Sequence, residues 1–158
     1  MSDNHHTVEL REVERDDLDV FFRNQQDTKA NDLAKVFPRE REDFYAHWER
    51  MLIDPEVLVR TIMFNEAIVG TINAFMVGDE KYVGYWIGRD YWGKGIATRA
   101  LASLLPLVES RPLHARVAVN NIGSICVLER CGFVKTGEFE SPEDERFAAC
   151  IEAVYRLD

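Results

Sequence analysis

Arg89-Asp90-Tyr91-Trp92-Gly93-Lys94-Gly95-Ile96-Ala97-Thr98-Arg99-Ala100-Leu101 decides how this chain is read. Two glycines flank Lys94 where a run rich in β-formers, Tyr82 to Ile87, gives way to apolar residues at helical spacing. The pattern predicts a strand, a glycine turn and a helix start. Glycine takes positive φ without a Cβ clash and lets a ligand come close to the main chain. The first amides of the helix lack intrachain acceptors and lie at the positive end of its dipole, so phosphate oxygens are natural partners. An ordinary strand-to-helix turn would use the same glycines. Neither G-x-x-x-x-G-K-[ST] nor G-x-G-x-x-G with a later acidic residue is present, which removes two common phosphate loops. The segment reads as a pyrophosphate cradle of another kind.

Working outward, residues 57–64 and 67–77 flank Asn65-Glu66 and predict a tight hairpin, and 81–87 follows Gly78-Asp79 as a third consecutive strand. Residues 8–13 alternate as a first strand, and Asp16-Asp17 opens a helix carrying Leu18, Val20, Phe21 and Phe22. The polar stretch 24–39 reads as a short helix plus a loop over the acceptor side, and 41–54 as a helix burying Phe44, His47, Trp48, Met51 and Leu52. Beyond the glycine turn, Ile96, Ala97, Ala100, Leu101, Leu104, Leu105 and Val108 trace a helix face that Pro106 should bend or end. Strands at 113–119, 133–140 and 147–157, with a helix at 124–130, complete the chain. Consecutive strands followed by alternating helices and strands imply an α/β (α+β) domain: a mixed sheet with helices on its faces.

The run from Tyr85 to Thr98, with its YWGKGIAT wording, closely resembles the acetyl-CoA motif of the GNAT superfamily of N-acetyltransferases, in its Rim-type branch. Asn121-Ile122-Gly123-Ser124, followed by Val127 to Phe133, resembles the N-x-x-S and G-F signature of the same branch. The resemblance implies one GNAT domain over residues 1–158, with a mostly antiparallel sheet of about seven strands. It also implies a splay between strands four and five that admits a pantetheine arm, residues 85–88 facing 113–120.

Composition agrees with a single intracellular domain. The 158 residues suffice for a real core, and no apolar run reaches membrane-spanning length. The stretch MSDNHHTVEL lacks the basic and apolar regions of a signal peptide, so a cytoplasmic protein is expected. Cys126, Cys131 and Cys150 form no C-x-x-C pair, and His5, His6, His47 and His114 are too scattered for a metal cluster. A net charge of -9 disfavours nucleic acid and suits either a cationic amine acceptor or simple solubility.

The resemblance assigns roles residue by residue. Backbone amides of Trp92, Gly93, Lys94, Gly95, Ile96, Ala97 and Thr98 would bind the diphosphate of acetyl-CoA, while the Tyr85 and Ile87 main chain pairs with pantetheine and Asn121 positions that arm. Trp92 stands where many relatives have Gln or Arg. Lys94 reaches a phosphate or is a solvated turn lysine. Ser124 is the candidate acid for the departing thiolate, because the tyrosine used by many relatives falls at Leu128; alternatively Ser124 and Asn121 only satisfy helix-start amides. Glu143 is the candidate base in a loop that also offers Asp144 and Glu145, each equally a solvated loop charge, and Tyr82 occupies a position often held by glutamate. The expected acceptor is a primary amine, with a peptide N-terminus favoured over a small-molecule amine. A non-catalytic acyl-CoA-binding sensor or scaffold module is the other reading, and whether the chain forms a homodimer is open.

Overall fold

The computed structural model describes residues 7–158, so His5 and His6 fall outside it. Seven strands make one sheet in the order β1-β2-β3-β4-β5-β7-β6. The strands β1 (Val8–Arg11), β2 (Leu58–Phe64), β3 (Ala67–Val77) and β4 (Glu80–Ile87) form an antiparallel meander. Asn65 and Glu66 both adopt positive φ, 49° and 71°, the primed two-residue turn that matches strand twist. At β3 the backbones crowd, and a Cβ on Gly70 would sit 2.1 Å from the Trp86 carbonyl oxygen.

β5 (Leu113–Ala118) lies parallel to β4, but the two share only the pairs Lys81↔Leu113 and Tyr82↔His114. Beyond these the strands part, because β5 follows β7 (Cys150–Leu157) over its whole length while β4 stays with β3. The fork opens beyond Tyr82 and His114, so it takes in residues 85–88 as the motif resemblance implies but starts on β5 at Ala115 rather than at Leu113, which is paired. β6 (Val134–Ser141) closes the far edge.

Period-two alternation sends Ile62 and Phe64 of β2 to one face and Val59 to the other. On the first face lie α4 (Ile96–Leu104) and α5 (Ile122–Arg130), burying Ile96, Leu101, Leu104 and Leu128 among the strands. Each such side chain contributes roughly 1.5–3 kcal/mol on burial. On the second face, α1 (Asp17–Asn24) and α3 (Arg41–Ile53) pack Leu18, Phe21, Phe44 and Trp48 against Val59. α2 (Thr28–Ala34) is the short helix expected within 24–39. α4 stops at Leu104 because Pro106 lies in the single 3₁₀ turn that follows.

β7 begins at Cys150 rather than at 147. Residues 147 and 148 instead turn aside to a bridge between Phe147 and Val36, and the Ala148 amide donates to the Lys35 carbonyl at 2.9 Å. This clasp ties α2 to the end of the chain.

Asp17 anchors the second face. Its carboxylate is 1% exposed and accepts from Arg11 at 2.7 and 2.9 Å, from the Glu14 amide at 2.8 Å and from the Thr61 hydroxyl at 2.6 Å. Burial pushes the Asp17 carboxyl up, but the hydrogen bonds from Arg11, Glu14 and Thr61 together hold it below the usual carboxylate range. Its stabilisation is therefore present above the unfolded carboxyl pKa and disappears as pH falls through the lower folded value. Asp17→Asn keeps the shape and loses the charge; urea unfolding at pH 7 should show a loss of about 2 kcal/mol.

Candidate active site

The glycine turn forms as its residues dictate. Gly93 and Gly95 have φ of 77° and 76°, and a Cβ at either would meet nothing within 4 Å. Gly95 is the N-cap of α4, with no side-chain cap and no acidic residue in the first turn. The helix thus presents uncapped amides to an open corner. The Trp92 indole N–H donates to the Ile87 carbonyl at 2.9 Å, so any amide that joins β4 at Ile87 must share that oxygen.

This corner opens into a cavity of about 540 Å³. Of the residues singled out from the sequence, Tyr85, Ile87, Trp92, Gly93, Gly95, Ile96, Ala97, Thr98, Asn121 and Ser124 all line it. Lys94 and Glu143 do not. A second cavity of about 610 Å³ lies on the α3 side, floored by Asn73, Phe75, Tyr82, Gly84 and Trp86 and roofed by the clasp. Tyr85, Trp86, Asn121 and Ser124 line both cavities, so the two meet at the open end of the β4–β5 fork.

A hydroxyl pair stands at the junction. Tyr85 Oη lies 2.8 Å from Ser124 Oγ and donates to the Ser124 carbonyl at 3.2 Å. Burial raises the phenol to about 12, only partly offset by the Ser124 hydrogen bond, so it holds its proton at neutral pH. Asn121 caps α5 through its Oδ1, which accepts from the Ser124 amide at 3.4 Å. Ser124 Oγ is thereby left to Tyr85 rather than to helix capping.

The pattern of a GNAT acetyltransferase domain matches residues 7–134. The chain belongs to the GNAT acetyltransferase family. The uncapped turn with two open glycines suits the diphosphate of an acetyl-CoA donor. The putative ribosomal N-acetyltransferase YdaF of Bacillus subtilis is 30% identical over 105 residues, which cover 62% of this chain and 57% of that relative. The matched stretch thus spans little more than half of YdaF. Among solved structures, RimL, a ribosomal L7/L12 α-N-protein acetyltransferase in complex with coenzyme A, superposes with TM-score 0.80 at 18% identity, covering 96% of this chain and 93% of that one. The microcin C7 self-immunity acetyltransferase MccE superposes with TM-score 0.78 at 21% identity, covering 95% and 91%. Both share the fold.

The residues around the α3 cavity were less visible in sequence. Glu143 is exposed in the loop after β6, outside both linings. Asp144 does line the α3 cavity, but its Oδ1 accepts the Arg146 and Phe147 amides at 2.7 Å each and holds the clasp in shape. Glu145 is exposed. Sequence reading missed the Tyr85 side chain, although alternation along β4 places Val83, Tyr85 and Ile87 on the α5 face. It also missed Asn73, Arg39, Arg116, Arg146 and His47, which come together only through the fold.

His47 on α3 is lowered to about 4, by burial first and then by Arg39, Arg50 and Arg146. An imidazole depressed in the folded state contributes stability above its unfolded pKa near 6.5 that is lost as pH falls towards 4. His47→Gln should flatten that limb, read as urea midpoints at pH 7 and pH 5. Among the described residues no three His, Cys, Asp or Glu come together to hold a metal ion, and no helix is long and apolar enough to cross a membrane.

Proposed function

We propose that this chain transfers acetyl from acetyl-CoA to a primary amine by direct attack, with the donor in the α4 cavity and the amine in the α3 cavity. One observation carries the reading: the two cavities meet at a protonated hydroxyl pair, Tyr85 and Ser124, beside the fork. Amides of residues 93–98 and the α4 dipole bind the diphosphate. Acetyl-CoA supplies the activated thioester, and the protein's residues bind, orient and hold protons.

Ser124 Oγ gives its proton to the departing thiolate, and the proton shed by the attacking amine refills Ser124 Oγ through the Tyr85 hydroxyl, which ends as protonated as it began. Asn121 fixes the helix turn that presents Ser124. On the amine side, the Oδ1 atoms of Asn31 and Asn73 are buried without a donor and line the α3 cavity. An unpaired buried acceptor costs about 1–3 kcal/mol, so an incoming N–H is stabilised there. An α-amine, with a pKa near 8, needs less help to lose its proton than a lysine amine near 10.4. A peptide N-terminus fits a site in which Glu143 stands outside the cavity and Asp144 is committed to the loop.

Thiol release with acetyl-CoA across peptides, amino acids, polyamines and aminoglycosides tests the proposal. Release with any acceptor well above the hydrolysis background supports it. Binding of acetyl-CoA with no release across the panel would leave a cofactor-binding module instead.

A further inference from the structure

The charge lining the α3 cavity runs against the charge of the chain. The whole protein carries a net -9, yet Arg39, Arg116 and Arg146 all line this cavity. Its lining carboxylates are Asp144, committed to two backbone amides, and Glu152.

The guanidiniums are held in place and under-used. Arg39 is fixed through its main chain: the Gln25 amide donates to its carbonyl at 2.9 Å, and the Arg39 amide donates to Gln25 Oε1 at 3.4 Å. Its side chain is only 19% exposed, and its one carboxylate partner, Asp43 at 2.9 Å, is itself more than half exposed. A pair whose carboxylate is open to solvent is weak and yields readily to a competing oxyanion. Arg146 is partly buried and donates to the Phe37 carbonyl; among the described residues it has no carboxylate within ion-pair distance. Arg116 lies over the Tyr82 and Phe139 rings, 5.2 and 5.4 Å from their centroids, again without an ion pair among the described residues.

We propose that Arg39 and Arg146 form an oxyanion subsite at the α3 end of the acceptor cavity, so that the acceptor is an amine that also carries a carboxylate or phosphate. This deepens the reading above and rests on the amine entering this cavity. Guanidinium offers paired donors that match a carboxylate or phosphate edge, and two such groups in a half-buried pocket reject a polycation by like-charge repulsion. Burial is the main cause that keeps His47 neutral, and Arg39, Arg50 and Arg146 add to it against Asp43, in keeping with a locally positive pocket. Burial and Arg39 likewise lower Arg146, with Asp43 and Asp144 opposing.

A product-binding experiment separates this subsite from the chemistry. With coenzyme A saturating, calorimetry would compare C-terminally amidated peptides, acetyl-Ser-Asp-Glu-Ala, acetyl-Ser-Ala-Ala-Ala and an acetyl-peptide of the same length bearing phosphoserine, with spermidine. Either anionic peptide should bind at least about tenfold more tightly than the neutral one, and which of the two leads distinguishes carboxylate from phosphate. Arg39→Gln, which leaves the clasp intact, and Arg146→Gln should each cut that advantage below about threefold while leaving the neutral peptide within about twofold. The His47 ring resonance should titrate at higher pH with the anionic peptide bound. Equal binding of neutral and anionic peptides, tighter binding of spermidine, or equal weakening of every ligand by both variants overturns the subsite. Retained anion preference without thiol release would reject acetyl transfer alone; thiol release indifferent to both arginines would reject the subsite alone.

Discussion

Gly95→Trp should lower acetyl-CoA affinity by about a thousandfold, roughly 4 kcal/mol, while the far-UV spectrum stays that of the folded protein. Gly95 sits at φ 76° with nothing within 4 Å of an added Cβ, so a side chain there starts out into open space. What it fills is the corner into which the first amides of α4 point. The bulk blocks approach to those amides, and a turn that relaxes from the left-handed conformation a non-glycine residue resists also moves them out of line. Calorimetry with acetyl-CoA reads the result directly. Unchanged affinity in a folded variant would remove the diphosphate from this turn.

The second large effect concerns turnover. Ser124→Ala should reduce kcat by about 10²–10³ with acetyl-CoA affinity within about threefold, because general acid catalysis contributes on that order and the diphosphate contacts lie elsewhere. Tyr85→Phe removes the hydroxyl that holds Ser124 Oγ at 2.8 Å and should cost about tenfold to a hundredfold. The double variant should be little worse than Ser124→Ala, since both hydroxyls serve one proton. If the two losses multiply instead, the hydroxyls act independently and the relay between them fails. Raising the pH as far as about 10 should not change the turnover of Ser124→Ala, because burial holds the Tyr85 phenol near 12 and protonated.

Much of the fold was legible because local rules and global packing agree. Asn65-Glu66, the alternation of β2 and β3, and the glycine turn each carry enough information within a few residues to place an element. The fork was legible only through motif resemblance, since neither β4 nor β5 has a residue that forbids pairing. β7 was read too long because Phe147 looks like strand sequence, and only its bridge to Val36, more than a hundred residues away, draws it off the sheet. The donor-side residues were readable for the same reason as the glycine turn, being contiguous on β4, α4 and α5. Tyr85 was half legible: its place on the motif was plain, while its hydroxyl contact depended on which face of β4 meets α5. The α3 cavity was the least legible. Arg39, His47, Asn73, Arg116 and Arg146 come from five separate segments, and no spacing within any one of them marks the cavity they share.

The two-pair seam between β4 and β5 has a bearing on how long the molecule lasts in a cell. An interrupted ladder is an invitation to foreign strands and to proteases, whose substrates are bound extended. On the proposed reading, the amide-bearing tail of the acyl donor occupies that gap as a borrowed strand. Starved of donor, the chain would expose the one opening in its sheet that it cannot mend itself, and its abundance would then follow the metabolic state that supplies acetyl groups.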